Sequence, residues 1–316
     1  MTMVSVYCLA YNHEKYIRDA LEGFVNQKTD FEYEVFVHDD ASTDNTAQII
    51  LEYAEKYPNI IKPIIQKENQ YSNGGAISQR FIFPQMKGKY IASCEGDDYW
   101  CDEYKLQKQV DFLEKNKNYV ACVHNVWKLD VNSNRKEILY KQRVNRTVSM
   151  LHVIKWKNRG FQTASWLYRR ELNDNPPKYL HSVNGIGDFP KVLWMRLNGK
   201  IYCYRQPMAV YRTNVEGSWS IRNKNWNKQK EAYLQIYNDF NKESNNKYIL
   251  LVQPIMDRLL IELNYSYGKH EVLYEMGYLR IMLQGFFGVA ISLFLQKHNA
   301  ELYKKISDYL REKESK

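Results

Sequence analysis

Long apolar runs are missing from this 316-residue chain. A bilayer-crossing helix needs about 20 mostly apolar residues. The nearest approach, residues 281–295 (IMLQGFFGVAISLFL), falls short and reads as a buried or interfacial helix. The N-terminal residues MTMVSVYCLAYNHEK show no basic lead before their short apolar run, so no signal peptide is expected. Cysteine is scarce: Cys8, Cys94, Cys101, Cys122 and Cys203 are odd in number, form no C-x-x-C pair and lie mostly in strand-like runs. That argues against a disulfide framework and for reduced thiols in a cytosol. Also absent are H-E-x-x-H, G-x-S-x-G, G-x-G-x-x-G and the Walker lysine. GIGDFP holds two glycines but not the third, so a dinucleotide dehydrogenase or P-loop NTPase is not expected. The histidines are scattered without a zinc or triad spacing and read as structural.

What is present suits a globular enzyme. Hydrophobic residues make up 44% of the chain and aromatics 14%, chiefly 26 tyrosines, which excludes a disordered protein. The length is enough for a full α/β core and a smaller helical domain. A net charge of +9, with basic residues thickening in the second half, suits nucleotide phosphates, anionic lipid or nucleic acid.

Apolar runs and amphipathic segments alternate up to about residue 127. Strands are expected at 4–9, 33–37, 60–65, 89–94 and 119–127, and helices at 13–26, from Ser42 or Asp44 to 57, at 75–86 and at 103–115. This spacing argues for a mostly parallel sheet flanked by helices. Residues 130–148 read as loop or hairpin, 161–168 as a strand, 186–197 as a helix and 200–212 as strands. Beyond about residue 224 the pattern is helical. Two regions are expected: a catalytic domain at 1–223 and a helical C-terminal region at 224–316, for packing, oligomerisation or membrane-surface attachment.

Two acidic clusters fall at strand carboxyl ends: Asp39-Asp40, and Glu95 with Asp97 and Asp98 inside YIASCEGDDYW. In parallel sheets ligands bind beyond those ends. Carboxylates this crowded repel one another unless a cation joins them, and Mg²⁺ or Mn²⁺ suits one or two carboxylates plus substrate phosphates. A solvated acidic turn capping the next helix is the alternative.

The ordered set VSVYCLAYNHEKYIRDALEGFVNQ, EVFVHDDASTDNT, residues 73–80, YIASCEGDDYW and GDFPKVLWMRLNGKIYCYRQPMAVYR resembles the family 2 glycosyltransferases, over roughly residues 3–220. The resemblance implies a GT-A fold and inverting, metal-dependent transfer from a nucleotide sugar, a UDP-sugar above all. The acceptor would be a saccharide or lipid-linked saccharide hydroxyl in cell-surface polysaccharide synthesis. It implies Asp188 as catalytic base and Asp97 as ligand to Mn²⁺ or Mg²⁺. Ala10, Tyr11, Asn12, Asp39, Asp40, Asn73, Gly74, Arg80, Glu95, Gly96, Asp98 and Arg212 would bind the nucleotide sugar. Arg80 and Arg212 suit phosphate oxygens, although a salt bridge explains either equally well. Trp100, Trp166 and Trp219 are candidate acceptor contacts. Two departures stand out: Glu95 in the first position of the D-x-D motif, and Asn214 where many members carry a metal-binding histidine.

The expected location is cytoplasmic, with peripheral contact at the inner face of the membrane through the C-terminal region. Phe286, Phe287, Ile291, Leu293, Phe294 and Leu295 beside Lys297, Lys304 and Lys305 suit an interfacial helix. No nucleic-acid partner is expected, and homo-oligomerisation is left open. The rivals are a nucleotidyltransferase and a basic polyanion-binding protein. The loop after the first strand, Ala10-Tyr11-Asn12-His13, lacks the glycine-rich basic character of the first, and steep salt dependence would mark the second.

Overall fold

The structure is a computed structural model describing residues 2–73, 76–140, 144–155, 161–177, 180, 186–218, 221 and 225–268. In the C-terminal stretch it describes 290, 291, 294, 297, 301, 302 and 304. Two compact units emerge, Met1–Lys224 and Asn225–Lys316.

The first unit grows from β1 (Val4–Ala10), whose residues are almost all buried. A strand covered on both faces has to be apolar throughout. α1 (Ile17–Val25) then buries Ile17, Ala20, Leu21 and Phe24, one stripe at the helical spacing. Ile17, Leu21 and Phe24, fully removed from water, each contribute about 1.5–3 kcal/mol. β2 (Tyr33–Asp39), α2 (Thr46–Lys56), β3 (Ile61–Ile65) and β4 (Tyr90–Ser93) complete a parallel half in the order β3-β2-β1-β4. The remaining elements of the sheet unit are β5 (Tyr99–Trp100), α3 (Lys105–Lys115), β6 (Tyr119–Asp130), β7 (Lys136–Ile138), β8 (Arg146–Val148), α4 (Met150–Lys155), β9 (Leu167–Arg169), α5 (Asp188–Asn198) and β10 (Lys200–Thr213).

The ten-stranded sheet continues from β4 through β9-β6-β10-β5, with β7 on β6 and β8 on β10. β6 and β10 run parallel, whereas β9, β5, β7 and β8 pair antiparallel. The parallel expectation thus holds for the first half and for β6–β10, and the short added strands make the whole sheet mixed. β10 is one 14-residue strand with register shifts around Pro207, where the ladder lacks a donor.

Local expectations fail at two places for backbone reasons. Of the helix expected at 75–86, the described residues 76–86 do not form a regular α-helix. A π-helical turn, Ser78–Ile82, passes into a 3₁₀ turn at Phe83–Gln85, where Pro84 removes a helical donor. The strand expected at 161–168 is reduced to β9, because residues Thr163–Ser165 make a 3₁₀ turn.

In the second unit, α6 (Trp226–Glu243) is capped by Asn225, whose side chain accepts from Lys228 N at 3.1 Å. It buries Tyr233, Ile236, Tyr237 and Phe240. α7 (Ile249–Ser266) buries Val252, Met256, Leu259, Ile261 and Leu263. Among the described residues, no helix is long and apolar enough to cross a membrane.

Candidate functional site

Three loops meet beyond the carboxyl ends of β1, β2 and β4. The first follows Ala10. Asn12 takes a left-handed conformation (φ 56°), its Oδ1 accepts from Thr43 N at 2.8 Å, and its own N–H donates to Ser42 Oγ at 2.9 Å. An asparagine tolerates that conformation better than most residues. His13 N and Glu14 N donate to Thr46 Oγ1 and Asp44 Oδ2, so the β1 loop is laced to the start of α2. Asp44 also accepts from Thr46 N. Tyr11 stays exposed.

The Asp39-Asp40 pair is buried and divides its work. Asp39 accepts from Ser42 N at 3.0 Å and Ser42 Oγ at 2.5 Å. Asp40 accepts from the amides of Gln70 and Tyr71 at 2.7 and 3.0 Å. Both carboxylates therefore already serve the turns beside them, and Asp40 is the anchor of the segment after β3. Arg80 is exposed; it donates to Gln70 Oε1 at 3.1 Å and weakly to Asn73 O at 3.5 Å, and its guanidinium stacks on Phe81. Gly74 lies outside the described residues.

The acidic loop after β4 is fixed by backbone contacts. Cys94 N and Gly96 N donate to Tyr7 O and Leu9 O of β1, at 3.1 and 2.9 Å. Gly96 is required by crowding: a Cβ there would lie 2.8 Å from His13 Nδ1 and 3.0 Å from Ile17 Cδ1. Burial, then Asp97, then Asp188 push the Glu95 carboxyl up to about 8. Asp98 is buried and likewise raised, by burial first and then Asp97, while its Oδ1 accepts from Arg212 N at 2.8 Å.

Asp188 opens α5, after Gly187. Its side chain is exposed to water. No side chain caps this helix end, so Asp188 does not act as the N-cap proper. Asp188 and Glu95, distant in sequence, thus share one electrostatic environment. Among the described residues no cation forms an ion pair with Glu95, Asp97 or Asp188.

Those carboxylates are hard oxygen donors left with each other's repulsion, which fits a divalent cation completed by substrate phosphates. No group of three or more potential ligands converges among the described residues, so the protein alone would supply only part of a coordination shell. Asn214, also left-handed (φ 64°), donates through Nδ2 to Asp130 Oδ2 at 3.0 Å.

Three further residues need correction or reassignment. Trp100 is 3% exposed; its Nε1 donates to Ala164 O, its ring meets Phe24 edge-on, and the buried Lys105 ammonium sits 4.1 Å from its centroid. Trp166 is 2% exposed, with Nε1 donating to Phe161 O. Neither can stack on an acceptor sugar, because both are core residues with their N–H groups satisfied. Trp219 lies outside the described residues. Arg212 is a buried hub. It donates to the carbonyl of Asp97 at 2.9 Å and pairs with Asp19, and its guanidinium lies against the rings of Tyr16 and Tyr99. The sequence reading missed Asp19, Tyr16 and Tyr99. Only the position of Tyr99, directly after the acidic knot, hinted at a role.

A polar groove of about 350 Å³ lies beside this hub, between α1 and the segment around β5, lined by Asp19, Glu22, Asn26, Gln27 and Tyr99 among others. Glu95, Asp97 and Asp188 do not line it, so this groove and the acidic loop are separate places.

Residues 5–175 match the profile of glycosyl transferase family 2. An uncharacterized protein of Mycobacterium tuberculosis (strain ATCC 25618 / H37Rv) is 35% identical over 225 residues, covering 68% of this chain and 60% of the relative. The UDP-Glc:alpha-D-GlcNAc-diphosphoundecaprenol beta-1,3-glucosyltransferase WfaP of Escherichia coli is 34% identical over 123 residues, 38% of this chain and 45% of WfaP. The match thus spans about 60% of the length of the mycobacterial relative. Among solved structures, S. aureus TarS 1–349 in complex with UDP-GlcNAc superposes with a TM-score of 0.62 at 21% identity, over 93% of this chain and 81% of that one. At that identity the likeness shows the fold, a GT-A fold. The chain belongs to glycosyl transferase family 2.

Proposed function

We propose that the chain transfers a sugar, with inversion, from a UDP-sugar to a hydroxyl of a saccharide or lipid-linked saccharide acceptor in cell-surface polysaccharide synthesis. The observation that carries this reading is Asp188 beside the acidic loop, where it raises the proton affinity of Glu95. Inverting transfer needs a base and a phosphate-side carboxylate cluster near one sugar carbon, and the influence of Asp188 on Glu95 supports that pairing. The names of TarS's ligand and of WfaP's donor support UDP as the carrier.

Asp188 takes the proton of the acceptor hydroxyl. The acceptor oxygen forms its bond to the anomeric carbon on the face opposite the diphosphate, and the bond from that carbon to the diphosphate oxygen breaks, releasing UDP. A positioned base contributes about 10²–10⁴-fold. Mn²⁺ or Mg²⁺, held by Asp97 and the donor phosphates, would offset the charge on the leaving diphosphate. Glu95 faces the ribose or sugar, and the β1 loop with Asp39 forms the base end of the donor site. Thermal shift with a panel of nucleotide sugars, with Mn²⁺ and with EDTA, tests the donor. Stabilisation by UDP-sugars only with Mn²⁺ is expected, and no response to any nucleotide would overturn the reading.

The domain boundary near residue 224 and peripheral membrane contact belong to the same proposal. Ile291, Phe294 and Leu302 are exposed helical residues, and Lys297 and Lys304 fall in the same stretch of sequence. Apolar residues beside cations suit an anionic bilayer surface. Phe286, Phe287, Leu293, Leu295 and Lys305 lie outside the described residues. Sedimentation with anionic vesicles at low salt is the test, and failure to pellet would end the membrane reading.

A further inference from the structure

We propose that Arg212 is a positioning residue: it holds the acidic loop by its backbone from outside the donor site, and Asp19 on α1 sets its aim. This rests on the donor reading of the acidic loop. The Arg212 backbone N–H binds Asp98 Oδ1 and Nη1 binds the carbonyl of Asp97, so one residue grips two successive residues of the loop. Nη2 reaches away from the loop to Asp19. The rings of Tyr16 and Tyr99, with centroids 5.1 and 4.6 Å from the guanidinium carbon, confine its plane. The side chain is 8% exposed, so it has little freedom to swing toward a phosphate.

The charge is spent in an unusual way. Arg212 gives the Asp97 side chain no hydrogen bond and takes its carbonyl instead. Its bond to Asp98 comes from the backbone. The Asp97 carboxylate therefore stays available while the chain beneath it is fixed. A lysine keeps the charge, but as a point donor it cannot span the Asp97 carbonyl and Asp19 while lying flat against two rings.

Two readings of Arg212 differ in what Asp19 does. If Arg212 bound the diphosphate directly, removing the Asp19 charge would free the guanidinium and leave donor affinity unchanged or improved. If Arg212 positions the loop, the same change loosens the loop and weakens the donor. Asp19 is a suitable lever because its side chain is 55% exposed, so Asp19→Asn leaves the core intact.

The test compares wild type, Asp19→Asn and Arg212→Lys by amide hydrogen exchange of the ligand-free protein and by calorimetric titration with UDP in Mn²⁺. Exchange across residues 95–101 should quicken by about tenfold in both variants while β1 and β2 keep wild-type protection. UDP should bind about tenfold more weakly to both. Unchanged exchange in that segment, or tighter UDP binding by Asp19→Asn, would overturn the proposal. Failure of the wild type to bind UDP would instead remove the donor reading, and the exchange measurement would still judge the hold of Arg212 on the loop.

Discussion

The Asp188 carboxylate, at the start of α5, raises the proton affinity of Glu95 in the loop after β4. This coupling joins a carboxylate placed by a helix start to a cluster placed by a strand end, and Asp188 is the proposed base. Its first consequence is kinetic. Asp188→Asn keeps the size of the side chain and should retain UDP-sugar binding, while turnover falls roughly 10²-fold or more. Asp188 must be deprotonated to accept a proton, so wild-type kcat should climb with pH across the carboxylate range and then level. Wild-type turnover in the variant would leave Asp188 with a structural role only.

The same coupling has a stability consequence. Glu95 is raised from an ordinary value near 4.3 to about 8, so the folded state prefers its protonated form. That preference contributes fully below the unfolded value and is lost as pH rises through about 8. In EDTA, the melting temperature should fall between pH 5 and pH 8.5, and Glu95→Gln should flatten the fall. Glu95 is only half-buried, so the difference should be a few degrees rather than tens. Parallel curves for the two proteins would show that Glu95 is well solvated.

Much of this arrangement is legible in the sequence. β1, β2, β4 and β6 announce themselves as apolar runs, and the acidic clusters sit at the ends of two of them. What stayed hidden is what two-residue or long-range pairing decides. β5 is only Tyr99–Trp100, too short to carry a period, and it exists because β10 pairs with it. Trp100 beside the acidic knot reads as a site residue; the ring of Phe24 and the Lys105 ammonium, which make it core, come from α1 and α3. Arg212 has two equal readings in sequence, and its partner Asp19 lies 193 residues away.

Asp97→Asn separates the metal from the nucleotide. Among the described residues the Asp97 carboxylate forms no ion pair, and the bond from Arg212 goes to its carbonyl, so the substitution should leave the fold and its melting temperature near wild type. It should abolish the extra stabilisation that Mn²⁺ gives to UDP binding. UDP raising the wild-type melting temperature equally in EDTA and in Mn²⁺ would refute a metal role for Asp97.

Gly96 offers a test of how tightly the acidic loop must sit on the β1 loop. An alanine Cβ at 96 would lie 2.8 Å from His13 Nδ1, 3.0 Å from Ile17 Cδ1 and 3.1 Å from the Ala10 Cβ. The imidazole can turn away, but the Ala10 methyl is fixed to β1, so the loop has to shift. Overpacking of this kind costs about 1–3 kcal/mol. Gly96→Ala should therefore lower the melting temperature and weaken UDP binding in Mn²⁺ together, because Glu95 and Asp97 flank the displaced residue. His13→Ala opens space on one side only. The double variant should recover part of the stability and less of the nucleotide affinity, a non-additivity expected of residues in contact. Strict additivity of the two stability changes would mean that the loop does not press on His13, and that glycine stands at 96 for some other reason.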